Sequence, residues 1–159
     1  MIVLKRCISG GQTGGDCGGL AAGVYLNLET GGWAPKGWRT QRGPAPWLAN
    51  FGVKEHPESG YPPRTIANVQ DSDGTLWIGN ELSPGGKLTC GTCMRQNKPL
   101  YKFGRNAPIT AQAGAFFREW LDKHQIVTLN VAGNREESSP AIEEHTKNFI
   151  ISALQGYLT

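Results

Sequence analysis

The stretch ISGGQTGGD, residues 8–16, decides the fold and follows the apolar run of residues 2–4 near the start of the chain. A strand that runs into small, glycine-rich residues and then into a helix leaves backbone N–H groups bare at the helix N-terminus. Those donors, together with the positive end of the helix dipole, form a site for a phosphate or a similar anion. The spacing is neither the dinucleotide fingerprint nor the Walker A pattern, because no Gly-Lys-Ser/Thr follows. The stretch therefore predicts a ligand-binding site and does not by itself predict a reaction.

Length and composition exclude several classes of protein. The chain has 159 residues, a charged fraction of 18% and a formal net charge of +3, which predicts one domain with locally concentrated cations. No run of Lys or Arg exceeds two residues, so we expect no nucleic-acid partner. The apolar runs are too short to span a membrane, and the N-terminus lacks the order of a signal peptide. We therefore expect a cytoplasmic protein without a membrane partner.

Strand-like and helix-like segments alternate along the whole chain. Runs of apolar and β-branched residues bounded by turn residues predict strands, and apolar residues at helical spacing predict helices. We predict strands at 2–8, 31–35, 53–55, 74–79, 99–103 and 126–132, and helices at 16–28, 61–70, 87–96, 110–124 and after Pro140. This alternation is typical of an α/β fold with three layers, a Rossmann-like, doubly wound and mainly parallel sheet. We expect a single domain over residues 1–159.

Three predicted strand ends carry turn residues, namely Gly10–Asp16, Asn80–Gly86 and Gly133–Glu136. In a doubly wound sheet, ligands bind outside the carboxyl ends of the strands. The three loops together therefore predict a binding pocket at that edge. The alternative is that the glycines only terminate strands.

Five cations lie in or beside these loops and the long connection of residues 35–60: Lys36, Arg39, Arg64, Lys87 and Arg135. They either pair with phosphate oxygens or are solvated surface cations. Arg64 and Arg135 are the preferred ligand-binding cations, because each stands near a predicted helix start.

Aromatic residues crowd the same irregular connection, which is unusually long for a compact domain. Trp33, Trp38, Trp47 and Tyr61 either stack on a planar heterocycle or form a small core under the loop. The core interpretation is preferred for Trp47, whereas both interpretations fit Trp33.

Cys90-Gly91-Thr92-Cys93 is the motif that competes most directly with a binding function. A CxxC pair near a helix N-terminus can be redox-active, because the helix dipole lowers the thiol pKa. A zinc site needs two more ligands, of which Cys17 is one candidate. Cysteines that pack a helix against the sheet are the preferred interpretation.

The chain offers little support for catalysis. His56, His124 and His145 have no evident nucleophile partner. Asp16, Glu136 and Glu137 are candidate acids or bases, but Asp16 fits equally well as a helix-start residue that satisfies backbone amides. The sequence favours a binding protein over an enzyme.

Four motifs in order resemble the molybdenum cofactor carrier family, within the wider Rossmann-like SLOG and LOG-like proteins. They are the SGGQTGGD of residues 9–16, the TGGWAPKG of residues 30–37, the segment from Asn68-Val69 to residues 71–76, and the LNVAGNRE of residues 129–136. They span nearly the whole chain. Each motif is weak alone, and the set is specific.

The resemblance implies a homo-oligomeric cytoplasmic carrier, a dimer or a tetramer, that holds the molybdenum cofactor (molybdopterin) without turning it over. Binding of a nucleotide-derived signal is the first alternative, and a nucleotide N-glycosidase is the second. The combined analysis predicts no metal ligands and these binding residues: Gly10, Gly11, Gln12, Thr13, Gly14, Asp16, Trp33, Lys36, Arg64, Ser83, Gly85, Gly86, Asn134 and Arg135.

Two departures from the family pattern matter. Cys17 stands where relatives tend to have Arg, so a cation beside the first loop is missing. The loop that begins at Ser83 also lacks the later Glu of the nucleotide-hydrolysing relatives, which weakens the N-glycosidase alternative.

Overall fold

The computed structural model describes residues 1–158 and contains a six-stranded parallel sheet in the order β5-β2-β1-β8-β6-β7. Its strands are β1 (Arg6–Ile8), β2 (Glu29–Ala34), β5 (Val53–Glu55), β6 (Gly74–Ile78), β7 (Leu100–Phe103) and β8 (Thr128–Gly133). A separate antiparallel hairpin consists of β3 (Arg39–Thr40) and β4 (Gly43–Pro44). The predicted α/β class with a doubly wound parallel sheet is confirmed.

Five α-helices cover the sheet: α1 (Gly15–Tyr25), α2 (Tyr61–Gln70), α3 (Pro84–Arg95), α4 (Ala111–Lys123) and α5 (Ile142–Leu154). Helices α1 and α4 both pack on α5, whereas α2 packs on α3. These two groups form the outer layers on opposite faces, as a doubly wound sheet requires. Helix α3 begins three residues earlier than predicted, because Ser83 caps it and Pro84 fits the first turn.

The main core lies between the sheet and the layer of α1, α4 and α5. Leu76 and Ile78 of β6 pack there with Phe117 of α4 and Phe149 of α5. Trp77 lies between these two strand residues, so its side chain projects from the other face of the sheet. Burial of such large apolar side chains supplies most of the favourable free energy of folding.

The connection of residues 35–60 contains more structure than the sequence predicted. It holds the β3–β4 hairpin and two short 3-10 helices, Lys36–Trp38 and Pro46–Phe51. Leu48 anchors it in a small second core with Leu20 and Val53. Trp47 does not belong to this core and is 57% exposed, so the core assignment of Trp47 was wrong and its neighbour Leu48 takes that role.

Strand β8, near the end of the chain, lies between β1 and β6. It pairs with both, with Ile8 opposite Asn130 and Leu76 opposite Val131. Because parallel strands end at the same edge, the loops after β1, β8 and β6 are neighbours. The position of β8 between β1 and β6 therefore brings the three predicted glycine-rich loops together.

Among residues 1–158, no helix combines the length and the apolar composition that crossing a membrane requires.

Candidate ligand-binding site

A cavity of about 730 Å³ lies at the carboxyl edge of the sheet, between the three loops. Its size is typical of sites for small molecules and cofactors. Half of the fourteen predicted binding residues line it: Gln12, Asp16, Arg64, Ser83, Gly85, Asn134 and Arg135. The start of α2 and the tip of the β3–β4 hairpin complete the wall with Tyr61 and Gln41.

Asn134 connects the three loops. Its carbonyl oxygen accepts a hydrogen bond from the Gly15 amide at 3.1 Å. Its side-chain oxygen accepts from the Asn80 amide at 2.7 Å, and its side-chain nitrogen donates to Ser83 Oγ at 3.0 Å. Since Asn134 is 8% exposed, these bonds lie largely out of water. The residue therefore fixes the positions of the β1–α1 and β6–α3 loops relative to β8.

The β1–α1 loop, residues 9–14, is bonded internally. The Gly11 amide donates to Ser9 Oγ, the Gln12 amide to an Asp16 carboxylate oxygen, and the Thr13 amide to the Gln12 side-chain oxygen. The expectation of a row of bare amides was wrong for these three donors and for Gly15. Polar side chains of the loop and of the first turn of α1 satisfy the three amides, and the Asn134 carbonyl oxygen satisfies Gly15.

Two glycines of this loop are required by close packing. A Cβ at Gly10 would overlap the Arg64 guanidinium. Gly14 has a φ of 86°, and a Cβ there would overlap the Asn134 carbonyl oxygen. These glycines therefore let the loop approach α2 and β8, and neither lines the cavity.

Asp16 and Arg64 form a buried ion pair on the cavity wall. Arg64 Nη1 lies 3.3 Å from Asp16 Oδ2, and the two side chains are 10% and 4% exposed. Burial raises the pKa of the Asp16 carboxyl, and the Arg64 guanidinium opposes that shift. Asp16 also accepts from the Gln12 amide. The carboxylate is thus committed to holding Arg64 and the loop.

The start of α3 is built differently from the start of α1. Ser83 Oγ accepts from the Gly86 amide at 3.1 Å, and the Ser83 carbonyl accepts from Lys87. In the described part of the chain, the Gly85 amide donates to no acceptor. Gly85 is exposed and lines the cavity. This helix N-terminus therefore offers a free donor to a ligand, together with the positive end of the dipole.

The lining of the cavity also includes an apolar surface that was not predicted from the sequence. Trp77 of β6, Pro84 and Leu88 of α3, and Ala132 of β8 form it. In the strand GTLWI, residues 74–78, successive side chains project from opposite faces of the sheet, so Trp77 projects away from the core residues on either side of it. This alternation was the sequence signal that could have identified Trp77. Gln41 gave no such signal, since no hairpin is predicted in the irregular connection that contains it.

Three side chains of the cavity wall carry buried donors without a partner. They are Gln12 Nε2, Arg64 Nε and Trp77 Nε1. Most buried polar groups in proteins are hydrogen-bonded, so each exception calls for an acceptor that the chain does not supply. Their location around one cavity makes a ligand or ordered water the natural source of acceptors.

Several predicted binding residues lie outside the cavity lining. Trp33 donates from its ring nitrogen to Asp71, 2.8 Å away, and packs edge-on against His56. Lys36 is exposed in the first 3-10 helix. Thr13 donates its hydroxyl to Glu137 at 2.6 Å. Gly11 packs against Leu48, and Gly86 packs beneath the backbone of residues 80–81.

The CxxC cysteines lie on α3 with unfavourable conditions for thiolate chemistry. Burial raises the pKa of Cys90 to about 11 and raises the pKa of Cys93 as well. Cys93 is fully buried between helix and sheet. Within residues 1–158, no group of three His, Cys, Asp or Glu side chains is placed to hold a metal ion. The geometry fits the packing interpretation.

Comparisons with known proteins identify the family. The family model described as "Circularly permutated YpsA SLOG family" matches residues 7–154. The solved structure titled "Putative molybdenum carrier protein", from Syntrophus aciditrophicus SB, is 33% identical, has a TM-score of 0.89 and covers 96% of each chain. No curated protein matches the chain. The chain belongs to the circularly permutated YpsA SLOG family, which confirms the predicted resemblance.

Proposed function

We propose that the chain binds an anionic small molecule with a planar ring and does not turn it over. The molybdenum cofactor, molybdopterin, is the first candidate for this ligand. The observation that carries the proposal is a cavity whose lining combines buried Arg64 and the free Gly85 amide with the apolar surface of Trp77. The similarity to a structure titled as a molybdenum carrier protein supports the same ligand class.

The polar and the apolar residues of the lining have distinct tasks in this proposal. The indole of Trp77 and the side chain of Leu88 would pack against the faces of a flat ring. Arg64 and the Gly85 amide would donate to oxygen atoms of the ligand. The unpartnered donors of Gln12 and Trp77 add two positions where a ring nitrogen or carbonyl would be favoured.

The two carboxylates of the cavity lining favour a binding function over a catalytic one. Asp16 pairs with Arg64, and Glu137 pairs with Arg42 at 3.1 Å while accepting from the Thr13 hydroxyl. Both carboxylates are therefore engaged within the protein. A general base or nucleophile needs a lone pair within reach of the substrate.

A nucleotide-derived signal is the second candidate ligand. The specific observation in its favour is that the apolar wall, the free amide and the arginine of this cavity suit a purine nucleotide as well as a pterin. Both ligands pair a flat heterocycle with phosphate. Cleavage of the glycosidic bond would make the chain an enzyme instead.

Isothermal titration calorimetry tests these alternatives. Purified protein is titrated with molybdenum cofactor, with nucleoside monophosphates and with cyclic dinucleotides, and each mixture is then assayed for free base. We expect one class to bind and to be recovered unchanged. Binding of none would contradict the proposal, and release of free base would contradict its non-catalytic part.

Gly85→Glu supplies the site-directed test. A Cβ at Gly85 would meet only Trp77, at 3.9 Å, so the chain should fold while a carboxylate opposes the bound anion. We expect a loss of affinity of about tenfold or more. Gly104→Glu is the matched control, because Gly104 is also an exposed glycine with open surroundings but does not line the cavity. Equal affinities of the two variants would exclude the α3 start from the site.

We further propose that the chain forms a cytoplasmic homo-oligomer and folds as one domain. Light scattering after size exclusion measures the oligomeric state, and cell fractionation measures the location. A single cooperative unfolding transition is the expected result for one domain.

A further inference from the structure

Three guanidinium groups surround the ring of Tyr61; two of them, of Arg64 and Arg135, belong to residues that line the cavity, whereas Arg39 lies outside the lining. The guanidinium carbons of Arg39, Arg64 and Arg135 lie 5.2, 5.3 and 5.0 Å from the ring centroid. Tyr61 is the first residue of α2 and lines the cavity. Arg64 approaches from the buried side, whereas Arg39 and Arg135 are exposed.

The charges in this region do not cancel. Arg64 is neutralised by Asp16, and Arg42 is neutralised by Glu137. Within residues 1–158, neither Arg39 nor Arg135 has a carboxylate within ion-pair distance. Arg135 donates to the neutral Gln41 side chain at 2.8 Å. Two positive charges are therefore left uncompensated beside one aromatic ring.

Holding these cations together is unfavourable without a partner. An exposed cation–π contact is a weak interaction, and the two positive charges beside one ring repel each other. The ring fixes the positions of the two guanidinium groups, but it does not neutralise them. The arrangement is therefore poised for an anion of charge near −2.

We propose that Arg39, Arg135 and Tyr61 form a receptor for a tetrahedral oxyanion, the terminal phosphate of the ligand in the cavity. A phosphomonoester carries a charge of about −1.5 to −2 at neutral pH, which matches the two free cations. The guanidinium fork fits phosphate oxygens in bidentate fashion. Tyr61 is a positioning residue, because it acts by holding the guanidinium groups.

This assignment orients the ligand and rests on the proposed function. The phosphate lies outward at the exposed arginines, and the planar ring lies inward against buried Trp77. This places the phosphate away from the β1–α1 loop, whose amides at residues 11–13 already have acceptors, and away from the carboxylate of Asp16 in the first turn of α1. A free oxyanion such as phosphate or molybdate has the same recognition chemistry.

The test uses two pairs of probes that differ by one phosphate: oxidised molybdopterin with its dephosphorylated form, and GMP with guanosine. Affinities are measured by calorimetry, with inorganic phosphate and molybdate as competitors. For the pair that binds, we expect the phosphorylated member to bind about tenfold tighter or more. Free phosphate or molybdate should displace it only at much higher concentration, which separates an attached phosphate from a free oxyanion as the natural occupant.

Arg39→Gln and Arg135→Gln should each remove most of this phosphate preference and leave the dephosphorylated member unchanged. Tyr61→Leu should reduce the preference partly, since the ring only positions the cations. Arg95→Gln is the matched control, because Arg95 is exposed at the far end of α3. If the wild-type protein binds both members of a pair equally, or if the arginine variants lose equal affinity for both members, the receptor proposal is wrong and the proposed function still stands. Binding of neither pair would overturn the receptor, and it would overturn the proposed function as well if the other nucleoside monophosphates and the cyclic dinucleotides also failed to bind.

Discussion

The β1–α1 loop and the β6–α3 loop are both rich in glycine, both precede a helix, and both lie at the same edge of the sheet. In the first, the amides of Gly11, Gln12 and Thr13 bond to side chains of the loop and of the first turn of α1. In the second, the Gly85 amide is free and the residue borders the cavity. Glycines of the first loop therefore serve packing, whereas we propose that Gly85 serves the ligand. Glycine content alone does not distinguish the two roles.

Asp16→Asn tests most strongly whether the first loop is structural. Removing one partner of a buried ion pair leaves the Arg64 charge uncompensated, which costs about 3–5 kcal/mol of unfolding free energy. Glu137→Gln is the control, because its pair with Arg42 is exposed and is worth about 1 kcal/mol or less. Urea denaturation measures both. A loss below about 1 kcal/mol for Asp16→Asn would show that the loop does not depend on this pair.

A pair of alanine substitutions separates the two loops directly. Gly14→Ala forces a φ of 86° on alanine and places its Cβ against the Asn134 carbonyl, so we expect a loss of about 2–4 kcal/mol. Gly85→Ala should change stability by less than about 0.5 kcal/mol, since its Cβ meets only Trp77 at contact distance. Thermal and urea unfolding measure the difference. Similar losses for both variants would remove the distinction between the loops.

Asn134→Ala should affect the second loop more than the first. The side chain holds Asn80 and Ser83, whereas Gly15 is held by the Asn134 backbone, which the substitution retains. Loss of the side chain leaves partners unsatisfied and should cost about 1–3 kcal/mol. Amide hydrogen exchange should then accelerate in residues 80–86 and change less in residues 10–15. Equal acceleration in both loops would contradict this division.

Thr13→Val tests the smallest of these effects, at the rim of the first loop. The Thr13 hydroxyl lowers the pKa of Glu137 below its ordinary value of 4.5. A carboxyl with a lowered pKa stabilises the fold above its ordinary value, and that contribution is lost as the pH falls through the lowered pKa. The Thr13→Val variant loses the bond from the Glu136 amide at every pH, so its loss of stability should be slightly larger at pH 7 than at low pH. Carbon NMR titration of Glu137 measures the shift, and an unchanged pKa in the variant would refute the cause.

The alternation of apolar runs and turns was sufficient to predict the sheet, the helices and the edge where the loops meet. Local periodicity specifies these features, because each strand and helix carries its own pattern. The position of β8 between β1 and β6 was not predictable from such patterns, since strand order depends on contacts between distant segments. The sequence therefore indicated the three loops without showing that Asn134 joins them.

Individual site residues were less predictable than the fold. Arg64 and Arg135 were identified from their places near helix starts, and both line the cavity. Trp33 was a candidate because it lies beside a glycine pair, but its ring bonds to Asp71. Trp77 was overlooked because a tryptophan in a strand is usually a core residue. Only the tertiary structure shows which face of β6 borders a cavity.

Native mass spectrometry of the protein purified from its own host tests the central claim most directly. The claim is that the cavity holds an intact anionic ligand with a planar ring. We expect a noncovalent adduct whose mass and fragments identify a phosphorylated pterin or nucleotide, and we expect the Gly85→Glu variant to lack it. Protein free of any such adduct, which also fails to take one up from a host extract, would contradict the claim.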